Sequence, residues 1–184
     1  MSVRARAGAG ALVAVAALTL AGCGRTGVAA SIGGRDISVD HVQSATASLH
    51  AADRAAFGQV TDRQVLAVLL YGPLAVRAAS AAGKGISDDT VRSALANQAR
   101  SNKDRTARPD RLNAAAIEAL RANIAFSSLD SAAQKDIIDQ VVRQRPRISP
   151  RYGSFDPATA TIGAPKPNWL TPVATPTANP SATG

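Results

Sequence analysis

Cys23, His41 and His50 are the only cysteine and histidine side chains in the sequence. Nucleophilic catalysis needs a base beside the nucleophile and a third group that orients the base. The two imidazoles lie nine positions apart on a stretch that reads as one helix. Nine steps of about 100° make about 900°, so their side chains leave opposite faces. They do not form a site together, and surface or capping roles suit them better. A Gly-x-Ser-x-Gly elbow for a serine nucleophile is missing. Zinc would require more cysteine or histidine. Asp88-Asp89 has no calcium-loop pattern around it, and first-turn helix acids account for the pair. Gly33-Gly34 and Gly83-Lys84-Gly85 lack the Walker spacing and read as turns. The sequence therefore predicts no enzyme, no metal and no cofactor, and leaves the single thiol to explain.

Cys23 closes the tetrapeptide Leu20-Ala21-Gly22-Cys23. Ahead of it, Arg4 and Arg6 form a positive n-region, and Ala11 to Leu20 form an apolar run within the ~7–15 residues of a signal-peptide core. That run is shorter than the ~20 apolar residues of a mature membrane-spanning helix. Small residues at 21 and 22 let the chain enter a peptidase cleft in extended form. The tetrapeptide resembles the bacterial lipobox. The resemblance implies a diacylglyceryl group on the Cys23 sulfur and cleavage after Gly22. A further acyl chain on the new N-terminal amine is left open. Each buried CH₂ contributes ~0.8 kcal/mol, so two chains anchor stably where one holds weakly. An oxidising compartment also gives a lone cysteine no internal disulfide partner. The expectation is a signal peptide at 1–22, a lipidated tether at 23–27, and a location on the extracytoplasmic face of the cell membrane. Nothing after the signal reads as apolar enough to span a bilayer.

Removing 22 of the 184 residues leaves 162, which suits one domain and a tail. Losing Arg4 and Arg6 lowers the formal charge of +8 by two. The remaining arginines are spread among acids, and aromatic residues are few. A nucleic-acid reader needs clustered cations with stacking rings, so nucleic acid is not an expected partner. Solvated helix faces and attraction to anionic lipid or wall polymer explain the charge.

Val28 to Ile32 reads as a strand, with a two-residue turn at Gly33-Gly34 and Arg35-Asp36-Ile37 leading away. Ser38 caps a helix with a buried stripe at Val39, Val42, Ala45 and Leu49. Thr61 and Gln64 form a capping box. The helix after them is apolar on more than one face, and Gly72-Pro73 should kink or interrupt it. Gly83 and Gly85 end that helix, and Ser87 starts another through Val91 and Leu95. Residues 100–110 read as a loop. The next helix would bury Leu112, Ile117, Leu120, Ile124 and Phe126. A second capping box, Ser131 to Gln134, opens a helix with Ile137, Ile138, Val141 and Val142, which Pro146 stops. Arg147 to Asp156 reads as extended, with a strand at Ala160-Thr161-Ile162 after a turn. A lone strand at each end is marginal unless the two pair, so a small sheet of N- and C-terminal strands is expected beside the helices. The fold class is mainly α, over residues 28–162. Residues 163–184 are rich in Pro, Thr and Ala and read as a disordered tail. Trp169 and Leu170 could pack back onto the domain. Tyr152, Phe155 and Trp169 read as a small core more than as a client groove.

The segment Ala30-Ser31-Ile32-Gly33-Gly34-Arg35-Asp36-Ile37-Ser38 resembles the start of the N-terminal domain of SurA- and PrsA-type extracytoplasmic foldases. Gly83-Lys84-Gly85-Ile86-Ser87-Asp88 resembles the step joining two helices of that domain. Ser149-Pro150-Arg151-Tyr152-Gly153-Ser154-Phe155-Asp156 is similar to the ending of the family's lipoprotein members. The likeness covers roughly residues 28–156 and lies in the shared order of short motifs. It implies a helical chaperone-like domain whose ends pack together and which holds exported, unfolded chains. Many members also carry an inserted parvulin isomerase domain, for which there is no room between Asp89 and Ser131. The expected function is thus a membrane-anchored, chaperone-like lipoprotein without isomerase chemistry. The alternative is an adaptor lipoprotein that binds one cell-envelope partner.

Overall fold

Two glycines with positive φ, Gly33 at 55° and Gly34 at 80°, turn the chain back on itself after its first strand. Such a pair suits the two-residue hairpin turn whose twist matches its strands. A computed structural model describes residues 27–165, so Cys23, the signal segment, Trp169, Leu170 and most of the tail lie outside the described residues. Strands β1 (Val28–Ile32) and β2 (Arg35–Ser38) pair antiparallel, with a register shift between Val28 and Ala30. On the other edge of β1 lies β3 (Arg147–Ile148), paired through Ala30 with Ile148 and Ser31 with Arg147. The three-stranded sheet has the order β2-β1-β3. The expected meeting of N- and C-terminal segments is therefore observed.

The chain turns after β3, which corrects the expectation of a continuous extended run to Asp156. The amides of Tyr152 and Gly153 donate to the carbonyls of Ser149 and Pro150, at 2.9 and 3.2 Å, and fold residues 149–153 into a turn. Beyond it β4 (Ser154–Asp156) and β5 (Thr161–Gly163) make a separate antiparallel hairpin. Its loop is pinned by the Asp156 carboxylate, which accepts from the Ala158 amide and the Thr159 hydroxyl. Those two bonds hold the Asp156 carboxyl below its ordinary range.

Between the strands lie six α-helices: α1 (Val39–Ala52), α2 (Arg54–Phe57), α3 (Asp62–Ala81), α4 (Asp88–Ser101), α5 (Ala114–Ser128) and α6 (Ser131–Gln144). Ser38, Thr61 and Ser87 cap α1, α3 and α4 from their side chains, and Thr61 with Gln64 completes the capping box. Val39, Val42, Ala45 and Leu49 are all buried, as the periodicity predicts.

Helix α3 departs from its sequence reading twice. First, it runs unbroken across Pro73. A proline ring removes one amide and leaves the carbonyl four residues earlier without its helical partner. Here that carbonyl belongs to Leu69, and the Arg35 guanidinium of β2 donates to it at 2.6 Å. A contact across 34 residues thus supplies what the proline removed. Arg35→Ala is expected to destabilise the domain by about 1–2 kcal/mol, measured by urea denaturation, because it orphans a part-buried carbonyl. A change of a few tenths would refute that role. Second, α3, at 20 residues, is long and apolar enough to cross a membrane, which corrects the expectation that no later segment is. In the structure it packs against α1, α5, α6 and β1, with Val65, Leu66, Leu69 and Leu70 buried in the core.

Helix α5 buries mainly alanines; of the larger residues its periodicity suggested, Ile117 is buried within it and Leu112 just ahead of it. Ala115, Ala116, Ala119, Ala122 and Ala125 are buried with Ile117, while Leu120, Ile124 and Phe126 are half-buried and Leu112 precedes the helix. The reason is close packing on α3. A Cβ built on Gly72 would stand 2.9 Å from the Ala122 Cβ, so only small residues fit where the two helices touch. Helix α6 is capped by Asp130, which accepts from the Ala133 amide at 2.8 Å. Ser131 is its first residue, so the second capping box is corrected. The Gln134 amide instead donates to the carbonyls of Phe126 and Leu129, satisfying the end of α5. Ile137 and Val141 are buried, whereas Ile138 and Val142 are half-buried.

Candidate functional site

The two histidines take separate posts, as their angular spacing requires. His41, on the first turn of α1, pairs with Glu118 of α5, Nε2 to Oε2, at 3.0 Å. Arg35 approaches the same carboxylate at 3.7 Å, so Glu118 ties the β2–α1 corner to α5. His50, at the end of α1, lies 2.9 Å from the Val60 carbonyl through Nε2. Both imidazoles thus join elements. Among the described residues no group of three His, Cys, Asp or Glu could hold a metal ion.

Asp88 and Asp89 sit in the first turn of α4, where the helix dipole favours negative charge. Asp88 pairs with Arg121 of α5. Gly83 adopts a left-handed φ of 73° just past α3, a helix-ending role. Lys84 donates to the Ser128 carbonyl at 2.6 Å and satisfies the end of α5. These features all serve the fold.

The apolar surface that sequence reading did not find lies where α1, α2, α3 and α5 converge. Asp53, itself buried, caps α2 by accepting from the Ala56 amide at 2.8 Å. That cap and the His50 contact set the short α2 and the turn after it, closed by the Val60 amide donating to the Phe57 carbonyl at 2.8 Å, beside α3 and α5. The result is an open pocket of about 180 Å³, walled by Phe57, Val60, Val68 and Leu120 over a floor of Leu49 and Val65. Phe57, Val60, Val68 and Leu120 are only half-buried, so the walls present apolar surface to solvent. The volume is below the ~300–1,000 Å³ usual for small-molecule sites and suits an apolar side chain or two. The residues come from four elements, and Phe57 and Val60 sit in a stretch with no periodicity. No local sequence signal joins them.

Tyr152 is buried in the main core, and Phe155 packs against it half-buried. Both therefore serve the core at the domain's closing turn, while Trp169 falls outside the described residues. Burial raises the Tyr152 hydroxyl above its usual range, helped by the charges of Asp62 and Asp40.

A second open groove, of about 500 Å³, runs between α3 and α5 over Gly72 and Ala122. Its rim carries Arg77, Asp88, Glu118 and Arg121. No protein-family model, no curated protein and no solved structure matches the chain.

Proposed function

We propose that the chain is a lipoprotein anchored through Cys23 to the extracytoplasmic face of the cell membrane, where its helical domain holds exported, incompletely folded polypeptides. The reading extends to a SurA-like N-terminal domain without isomerase chemistry. The observation that carries it is the apolar pocket of Phe57, Val60, Val68 and Leu120, open to solvent and sized for side chains. A few half-buried apolar contacts give weak, exchangeable binding, because burying each side chain is worth only about 1.5–3 kcal/mol before ordering costs. Exchange of that kind is what a holding function requires.

The test is suppression of aggregation of an unrelated unfolded protein by the purified full chain. Suppression at a few-fold excess is expected. Val68→Asp, at the half-buried wall, should lower the apparent affinity roughly tenfold. No suppression by the parent chain at several-fold excess would overturn the reading. The anchor is tested separately: Cys23→Ser should move the protein wholly from the membrane fraction to the soluble one.

An adaptor role for one cell-envelope partner is the second reading. It is favoured by the charged rim of Asp88, Glu118 and Arg121 over the α3–α5 groove, which would fix the orientation of a specific partner. Cross-linking in intact cells separates the two, since an adaptor gives one dominant product and a holding protein gives many.

A further inference from the structure

We infer that the cleft between the end of α6 and the β4–β5 hairpin is a docking site for an extended peptide segment carrying a carboxylate beside an apolar side chain. The cleft, of about 640 Å³, is lined by Val142, Arg143, Arg145, Pro146, Phe155 and Pro157. Its size falls within the range of ligand sites. Val142, Pro146 and Phe155 make an apolar floor, and Pro157, Arg143 and Arg145 are exposed around it. Neither guanidinium has a hydrogen-bonded or ion-paired partner among the described residues, unlike Arg35, Arg92, Arg108 and Arg121. Two unpaired planar cations over an apolar floor are complementary to an anion with an apolar neighbour, and a guanidinium fork matches a carboxylate with two parallel hydrogen bonds.

Arg145 adds a second observation. It ends α6 in the left-handed region, at φ 48° and ψ 67°. Glycine is the usual residue there, because a Cβ crowds the following carbonyl oxygen in that conformation. The chain therefore holds a strained arginine where glycine would be more stable, and no internal contact of its guanidinium offsets the strain.

Peptide is favoured over other anions by the neighbouring strand. Among the described residues β4 pairs only with β5, and no main-chain hydrogen bond joins its other edge to β3, which packs nearby. An extended peptide can use both the donors and the acceptors of such an edge, whereas a lipid headgroup phosphate or inorganic anion can only accept from its N–H groups. The peptide-edge geometry does not depend on the anchor.

The probe is a fluorescein-labelled decapeptide alternating aspartate and leucine, with an asparagine–leucine counterpart, read by anisotropy against the full chain. The acidic peptide is expected to bind, and the asparagine peptide at least roughly tenfold more weakly. Arg143→Ala and Arg145→Gly should each weaken the acidic peptide by a similar factor. Arg145→Gly should at the same time raise the melting temperature by roughly 2–5 °C, since it removes left-handed strain. Lost binding in a more stable variant separates recognition from unfolding. Equal binding of the two peptides would overturn the inference, as would unchanged affinity in the Arg143→Ala/Arg145→Gly double variant. So would arginine-dependent binding of phosphatidylglycerol vesicles without binding of the acidic peptide. The Arg143→Ala/Arg145→Gly double variant should still suppress aggregation of the unfolded protein as the parent chain does, so failure here is distinct from failure of the holding function.

Discussion

Leu66→Ala is expected to lower the unfolding free energy by about 3–5 kcal/mol, the largest loss for any single apolar truncation in this domain. Leu66 is fully buried on α3 and belongs to the main core, which also holds Leu69, Val42 and Val91, the other large side chains with almost no exposure. Truncating a leucine costs its transfer energy and also the cavity left behind, so the penalty is greatest where neighbours cannot move in. They cannot here. α3 already meets α5 at Gly72 and Ala122, where an added Cβ would stand 2.9 Å from its neighbour, so the helices have no room to close further. Urea denaturation should show the loss as a lower midpoint with an unchanged slope. Leu74→Ala, on the same helix but half-buried, should cost about 1 kcal/mol. Equal losses at the two positions, or a loss near 1 kcal/mol at Leu66, would mean that the α3–α5 interface is softer than the structure describes.

The same interface shows which parts of this fold were legible in the sequence. Contacts that close within a turn were readable, because residue type and backbone demand meet within a few positions. Ser38, Thr61 and Ser87 cap the helices they were expected to cap. Gly33-Gly34 makes the expected hairpin, and the sheet joining the chain's two ends reflects the instability of isolated strands. Contacts between distant segments were not readable. Nothing around Pro73 announces that Arg35 will take up the Leu69 carbonyl, so interruption was the reasonable local expectation. Nothing in the periodicity of α5 reveals that α3 presents Gly72, which makes alanine the right size on the facing side. Asp130 precedes Ser131, and both are good caps; the structure selects Asp130 because Gln134 is engaged with the end of α5. The apolar pocket was least legible of all. It is assembled from four elements, and its walls Phe57 and Val60 stand in a connecting stretch whose position is set by Asp53 and His50. The arginine cleft likewise needs the hairpin at 154–163, which an extended run from 147 to 156 would not form.

Gly153→Ala should open that hairpin. Gly153 has φ 115°, a value that side chains disfavour, and an added Cβ would intrude on the Gly163 carbonyl oxygen while standing 3.0 Å from its carbon. The obstructing atoms are backbone, so no rotamer change relieves the clash, and Ser154 must lose its pairing with Gly163. Ile162 and Tyr152, both buried in the main core, would be pulled with it. Strain of about 1–3 kcal/mol, with partial loss of that packing, sets the expected destabilisation at roughly 2–4 kcal/mol. Gly34→Ala supplies the comparison, since Gly34 also has a positive φ, 80°, but open space where its Cβ would be. It should cost only about 1–2 kcal/mol. The difference between the variants isolates the clash from the dihedral preference. Amide exchange should quicken most over residues 154–163 in the Gly153 variant, ahead of the α3 and α5 amides, because the hairpin is held to the rest through few elements. Displacing Phe155 removes part of the arginine cleft's floor, so acidic-peptide affinity should fall together with hairpin protection. A Gly153 variant as stable as the Gly34 variant, with the hairpin still protected, would show that the turn can yield without moving β5, and the cleft would then stand on α6 alone.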